Sequence, residues 1–321
     1  MDFGIYKKSE TFKLKKKIII IGGSSLLSLS LVFFLKKKYN LYLACNTKKP
    51  KIPKVKSFFI NFIKKDLKKI FEKIDPDIVI ICSAITNIEV CEKDKKKAKE
   101  VNFYLPKLIT DICKIYKFNL IFISTDQVYK DNPKSSDEKS KILGVNYYSK
   151  TKILAEKYIN KNVKNSLILR TNFFGYGPTY RKSFSDSIIY SAQQKKKQEY
   201  FVDNMFSSIY MPYFAKLLIK LIEQNIFGIY NLSSTNFISK YKFAIKIFEK
   251  FSLNKKYLIK GFLKKRKDLV NRPFNMNINN LKLMQKLNMK IPTIEKQIEK
   301  MRKDHKSKYF LFLKGIKLEK K

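Results

Sequence analysis

The chain has 321 residues, 45% of them apolar and 14% aromatic, enough to bury a sizeable core and to exclude a disordered chain. Its formal net charge of +43 invites a nucleic-acid reading, but the excess is mostly Lys scattered in short runs, with little Arg for bidentate contacts to bases or phosphates. A specific nucleic-acid partner is therefore not expected, although a positive field would draw in an anionic diphosphate substrate.

Residues 1–17 form a basic N-terminal extension. Residues 18–35, IIIIGGSSLLSLSLVFFL, are flanked by Lys triplets and are long enough, taken as one span, for a marginal membrane helix. The glycines and serines cluster in the middle, where a strand-to-helix turn needs them and a spanning helix does not. The run therefore splits into a buried strand Ile18–Ile21, a phosphate loop Gly22–Ser25 and a helix Leu26–Leu35, and membrane association is not expected. Apolar runs at Leu41–Cys45, Asp77–Ser83, Asn119–Ser124 and Ser166–Leu169 have strand length and β-branched content. Helical patterns over about 64–74, 95–116 and 148–160 lie between them. After Gly177–Pro178 the pattern is less regular, with a strand at Gly228–Leu232, a helix over about 239–251 and a final helix from near Thr293.

Strand–helix alternation with continuous apolar strands marks a parallel sheet covered on both faces. The expected fold is α/β, a doubly wound parallel Rossmann sheet with a smaller, mostly C-terminal substrate-binding lobe. Residues 18–172 would be the NAD(P)-binding domain, 173–305 the substrate lobe interleaved with the sheet, and 306–321 a basic, loosely held tail.

Gly22-Gly23-Ser24-Ser25-Leu26-Leu27-Ser28 has the spacing of G-x-x-G-x-x-G, with Ser at the second and third glycine positions. Gly22 would allow the tight turn, and Gly23, Ser24 and Ser25 would bring the backbone to a pyrophosphate held at the helix N-terminus. The second strand ends at Asn46, followed by Lys48 rather than an acid for a ribose 2′-hydroxyl. That favours NADPH, with NADH as the alternative.

Thr125 follows the Asn119–Ser124 strand, at the carboxyl edge where open α/β sheets bind ligands. Tyr148 and Lys152 open the next helical pattern at i, i+4 spacing and so share a face. A neighbouring ammonium would lower the phenol's pKa, letting Tyr148 exchange a proton with a substrate carbonyl oxygen while Thr125 polarises the same oxygen. Of the 19 tyrosines, only Tyr148 has Lys or Arg four residues on. The cysteines Cys45, Cys82, Cys91 and Cys113 form no C-x-x-C pair, and the single histidine, His305, sits in a Lys-rich stretch. A metal site, a His-based triad and a disulfide framework are not expected, and the setting reads as reduced and cytoplasmic.

The order Thr86-Asn87-Ile88-Glu89-Val90-Cys91-Glu92, Val101-Asn102 and Ile123-Ser124-Thr125-Asp126-Gln127-Val128-Tyr129 resembles the extended short-chain dehydrogenases, closest to the dTDP-4-dehydrorhamnose reductases. Tyr148-Ser149-Lys150-Thr151-Lys152, Glu156, Leu169-Arg170-Thr171-Asn172 and Arg272-Pro273 continue the match. The resemblance implies an NADPH-dependent reductase of a 4-keto nucleotide-deoxysugar serving surface polysaccharide synthesis. It implies that Ser83, Ala84 and Thr86 line the cofactor, that Asn102 supports that site, and that Asp126, Asn172 and Arg272 meet the nucleotide-sugar. A homodimer is left open. The chain departs from the family pattern in its glycine loop, at Gly144 in place of Pro, at Ser149 in place of Gly, and around 203–209, where a Pro-Thr pair is missing. Nucleotide-sugar epimerases, dehydratases and a non-catalytic regulatory homologue share the fold and stay open as alternatives.

Overall fold

The computed structural model of the chain describes residues 15–60 and 64–320. Four consecutive isoleucines set its centre. In the strand Lys17–Ile21 (β1), Ile18 and Ile20 point to one face and Ile19 and Ile21 to the other, and all four are fully buried. A strand that is apolar on both faces requires cover on both, which is why parallel sheets read as continuous hydrophobic runs. Around it lie Asn40–Cys45 (β2), Lys48–Lys51 (β3), Lys56–Phe59 (β4), Ile78–Ile81 (β5), Asn119–Ile123 (β6) and Ser166–Thr171 (β7). The main sheet has seven strands in the order Gly228–Leu232, β7, β6, β5, β1, β2, β4, with every neighbouring pair parallel. From β1 the chain moves outward through β2 to β4, then returns to the opposite side of β1 as β5. The two connections leave a crevice at that reversal, the usual ligand position in an open α/β sheet.

The doubly wound sheet expected from the sequence is present, and residues 18–35 divide as read. Leu26–Leu35 is a ten-residue helix (α1). It is buried almost all round because the sheet lies on one side and the helix Met211–Glu223 (α8) and later C-terminal elements on the other. No helix among the described residues is long and apolar enough to cross a membrane. Lys64–Ile74 is helical (α2), and Tyr147–Asn162 (α6) carries the Tyr–Lys pair.

The stretch expected as helical over 95–116 is helical throughout and begins at Lys95–Lys99 (α4), where Asp94 caps it by accepting from Lys97 N at 2.9 Å; a short helix that was not expected, Ile88–Lys93 (α3), precedes it. A π-turn at Glu100–Tyr104 then leads into Leu105–Tyr116 (α5). The extra residue in that turn directs Asn102 inward, and π-bulges commonly mark such sites.

After residue 172 the chain forms Phe184–Gln193 (α7), α8, Lys240–Lys250 (α9), Leu281–Leu287 (α10) and Ile294–Lys303 (α11), with α8 packed on α1 and the strand Gly228–Leu232 in the main sheet. The C-terminal residues, read above as a loose tail, are built into the molecule. Lys308–Lys314 (α12) buries Tyr309 and Leu313, and the strand Lys317–Lys320 pairs antiparallel with β3. Their surrounding lysines mask the apolar residues that anchor them.

Candidate functional site

Gly22 ends β1 with φ +86°, and a Cβ there would come within 2.7 Å of Ser83 N, so the loop passes against the end of β5 only because no side chain intervenes. The amides of Gly22 and Gly23 both donate to Ala44 O, at 2.9 and 3.0 Å. Gly23 faces β2, where a Cβ would strike Leu43 Cβ at 2.6 Å; it packs the loop down and does not line the cleft. Serine at the other two positions is built into the turn. Ser25 caps α1 by accepting from Ser28 N at 3.2 Å, its hydroxyl lies 2.6 Å from that of Ser28, and Ser28 Oγ donates to Gly22 O at 2.9 Å. The first residues of α1, Leu26 and Leu27, line the cleft, so the amides that a helix leaves unpaired at its start open toward it.

The cleft has a volume of about 340 Å³. Gly22, Ser24, Ser25 and Asn46 line one end, Ser83, Ala84 and Thr86 the middle, and Thr125, Asp126, Tyr148, Lys152 and Asn172 the other. Three further expected residues lie off it. Lys48 is exposed, its ammonium 5.5 Å from the centre of the Tyr180 ring. Asn102 is a strut: its Oδ1 accepts from Ile85 N at 2.8 Å while its Nδ2 donates to Ile85 O at 3.0 Å and Thr151 Oγ1 at 3.3 Å. It therefore supports the segment after β5 from behind rather than facing a ligand. Arg272 is engaged with Glu89 and with Val270 O, the latter at 3.0 Å. Lining residues that the sequence did not point out include Ser124, Gln127, Phe173 and Arg181. Ser124, next to Thr125, has a buried hydroxyl with no partner among the described residues, an orphaned polar group that a ligand would satisfy.

Tyr148 is 6% exposed and lines the cleft together with Thr125, whose hydroxyl works against the upward shift of the phenol. Lys152 is 1% exposed; its Nζ donates to Ile123 O at 2.7 Å and lies 3.8 Å from the centre of the Phe122 ring. The shared helix face brings both side chains to the cleft, but the expected acidification of the phenol is not what this arrangement produces. Burial pushes Tyr148 above its ordinary value, and the charges that add to this are Asp126 and Cys91. The ammonium is held instead by the last carbonyl of β6. Burial pulls its pKa down to about 7, against the attraction of Glu156. Asp126, 1% exposed, is pushed up to about 6 by burial, opposed by Asn172 Nδ2 donating at 3.0 Å, by the Lys240 charge and by Thr125 Oγ1 donating at 3.1 Å.

The family model of the RmlD substrate binding domain matches residues 16–307. The chain belongs to that family. Among its relatives, the spore coat polysaccharide biosynthesis protein SpsK of Bacillus subtilis is 29% identical over 245 residues, covering 74% of this chain and 80% of SpsK. The dTDP-4-dehydrorhamnose reductase of Aggregatibacter actinomycetemcomitans is 26% identical over 189 residues, 56% of this chain and 63% of that protein. The crystal structure of dTDP-4-dehydrorhamnose reductase from Bacillus anthracis in complex with NADP has the same fold, with a TM-score of 0.78 at 22% identity, covering 90% of this chain and 99% of that one.

Two departures from the RmlD-family pattern have local causes. Ser149 completes a reciprocal cap at the start of α6: Asn146 Oδ1 accepts from Ser149 N at 2.9 Å, and Ser149 Oγ accepts from Asn146 N at 3.3 Å. Gly144 has φ +68°, a conformation closed to the proline usual at that position. Both changes preserve the entry into α6 and with it the placement of Tyr148. This RmlD-family cleft presents a hydroxyl pair, Thr125 and Tyr148, beside a buried amine, and it has a helix start suited to a phosphate at its other end. The arrangement suits proton transfer at an oxygen held beside a bound dinucleotide.

Proposed function

We propose that the chain is an NADPH-dependent reductase of a 4-keto nucleotide-deoxysugar, working in the cytoplasm toward a surface polysaccharide. The observation that carries this reading is the Thr125–Tyr148 hydroxyl pair standing in one cleft with a glycine-turned phosphate loop. The reductase name of one relative, the polysaccharide role of SpsK and the NADP of a structural neighbour support it. The open start of α1, the close approach that Gly22 permits and the orphaned Ser124 hydroxyl fit a dinucleotide. When bound, its nicotinamide supplies the hydride. The protein's part is the proton: Tyr148 Oη gives it to the carbonyl oxygen, and Thr125 orients that oxygen. A phenol held protonated by burial suits the reductive direction, in which the oxygen must receive a proton. Lys152, drawn down to about 7 by burial, lines the same cleft one helical turn from Tyr148.

A binding homologue without turnover is the second reading, favoured by the engagement of Lys152 with Ile123 O rather than with the phenol. The test is NADPH absorbance against a panel of 4-keto-deoxysugar nucleotides, with NADPH affinity measured separately. Tyr148→Phe should lower kcat by about 100-fold or more while leaving that affinity in place. Turnover at the wild-type rate in this variant would overturn the role of Tyr148. NADPH binding with no consumption on any substrate would favour the second reading, and turnover without net NADPH loss an epimerase or dehydratase.

A further inference from the structure

The cleft lining contains two cationic side chains, Lys152 and Arg181. Lys152 is held by Ile123 O. Arg181 comes from beyond residue 172, is exposed, and lines the cleft with Ser24, Ser25, Asn46 and Thr47 at the phosphate-loop end. The arginine ion pairs of the described residues belong to Arg170, Arg266 and Arg272, which leaves Arg181 without a carboxylate among them.

The loop that carries Arg181 is fastened in advance. Buried Asp186 accepts from Gly177 N at 2.5 Å and from Ser183 N at 3.1 Å, which closes the two ends of the loop on one carboxylate. Lys314 of α12 donates to Gly177 O at 2.8 Å. Tyr180, next to Arg181, donates to Ser24 O at 3.2 Å, so the loop is bonded directly to the phosphate loop. Gly177 allows this approach: a Cβ there would meet Arg181 O at 2.2 Å and Leu26 Cδ2 at 2.7 Å. The backbone that carries the guanidinium is thus fixed before any ligand arrives, and the planar fork matches the oxygens of a phosphate.

The geometry points to Arg181 as a phosphate-binding residue for the dinucleotide, supplied from beyond residue 172 to a loop in which serine has replaced glycine. This rests on the cofactor reading given above and adds to it a residue outside residues 18–172. Because Lys314 and Tyr180 fasten the same loop, cofactor affinity also depends on the seating of the C-terminal helix.

The test is calorimetric titration of the full chain with NADPH and with NADH, in Arg181→Gln, Arg181→Lys and Lys182→Gln. Lys182, on the same loop, lies over the Tyr190 ring and not in the cleft, so Lys182→Gln removes an equal charge without touching it. Arg181→Gln should weaken NADPH roughly tenfold or more, the range of a lost charge-assisted hydrogen bond, with Lys182→Gln near wild type. An equal loss for NADH assigns Arg181 to the pyrophosphate, and a loss confined to NADPH assigns it to the 2′-phosphate. Arg181→Lys should recover only part of the loss, because it keeps the charge and not the fork. Wild-type affinity in Arg181→Gln, or the same loss in Lys182→Gln, overturns the inference alone. Failure of the wild type to bind either nucleotide overturns the cofactor reading with it.

Discussion

Tyr148 and Lys152 stand one helical turn apart, yet their polar ends do different things: the phenol lines the cleft with Thr125 and the ammonium is held by Ile123 O. Spacing on a helix sets which side chains share a face, not where a long, flexible side chain finds its partner. Both groups are buried, and burial drives each toward its neutral form. Asp126 obeys the same rule and provides a clean readout. Its carboxyl is raised to about 6, so between about pH 4 and pH 6 the folded state keeps a proton that the unfolded state has released. Its stabilising contribution is complete below about pH 4 and is lost as the pH rises through about 6. Asp126→Asn removes that titration. In urea unfolding, the wild type should lose stability relative to the variant by on the order of 3 kcal/mol across this window. A difference that does not change with pH would show that the carboxyl is not raised.

At the scale of elements, the phosphate loop shows how a short motif survives substitution. Two serines replace glycines, and their hydroxyls close the turn by bonding to each other, to Gly22 O and to the start of α1. Gly22 itself has no such freedom, since its φ is +86° and Ser83 N lies 2.7 Å from any Cβ. Gly22→Ala should therefore cost about 2–4 kcal/mol by chemical denaturation, from backbone strain and from pushing β5 away, and should weaken nucleotide binding in the same protein. An unchanged midpoint would show that the loop relaxes freely. The Ile88–Tyr116 stretch makes the converse point. Its helical period was readable over 95–116, but the short helix before Asp94 and the π-turn at Glu100–Tyr104 depend on capping and on Asn102 reaching Ile85 across the fold.

At the scale of the whole molecule, the end of the chain is fastened back onto its beginning. Tyr309 Oη lies 2.9 Å from Ser30 Oγ of α1, Leu313 is fully buried, and the strand Lys317–Lys320 pairs antiparallel with β3. Removal of everything after Ser307 should cost about 3–6 kcal/mol from the burial of Tyr309 and Leu313 alone. It should also loosen the Arg181 loop through loss of Lys314. A thermal melting point within a degree or so of the full chain would contradict this.

What the sequence determined by itself was the class of sheet, the division of residues 18–35 into strand, turn and helix, and a Tyr–Lys pair at the carboxyl edge. These follow from local periodicity and from the turn requirements of neighbouring residues, which act over a few positions. Only the tertiary structure decided that Asn102 is a strut, that Arg272 pairs with Glu89, that Lys152 turns to β6, and that Arg181 and the C-terminal residues close on the beginning of the chain. Each depends on a partner tens to hundreds of residues away, or on where one flexible side chain settles in a packed interior. Neither leaves a period in the sequence.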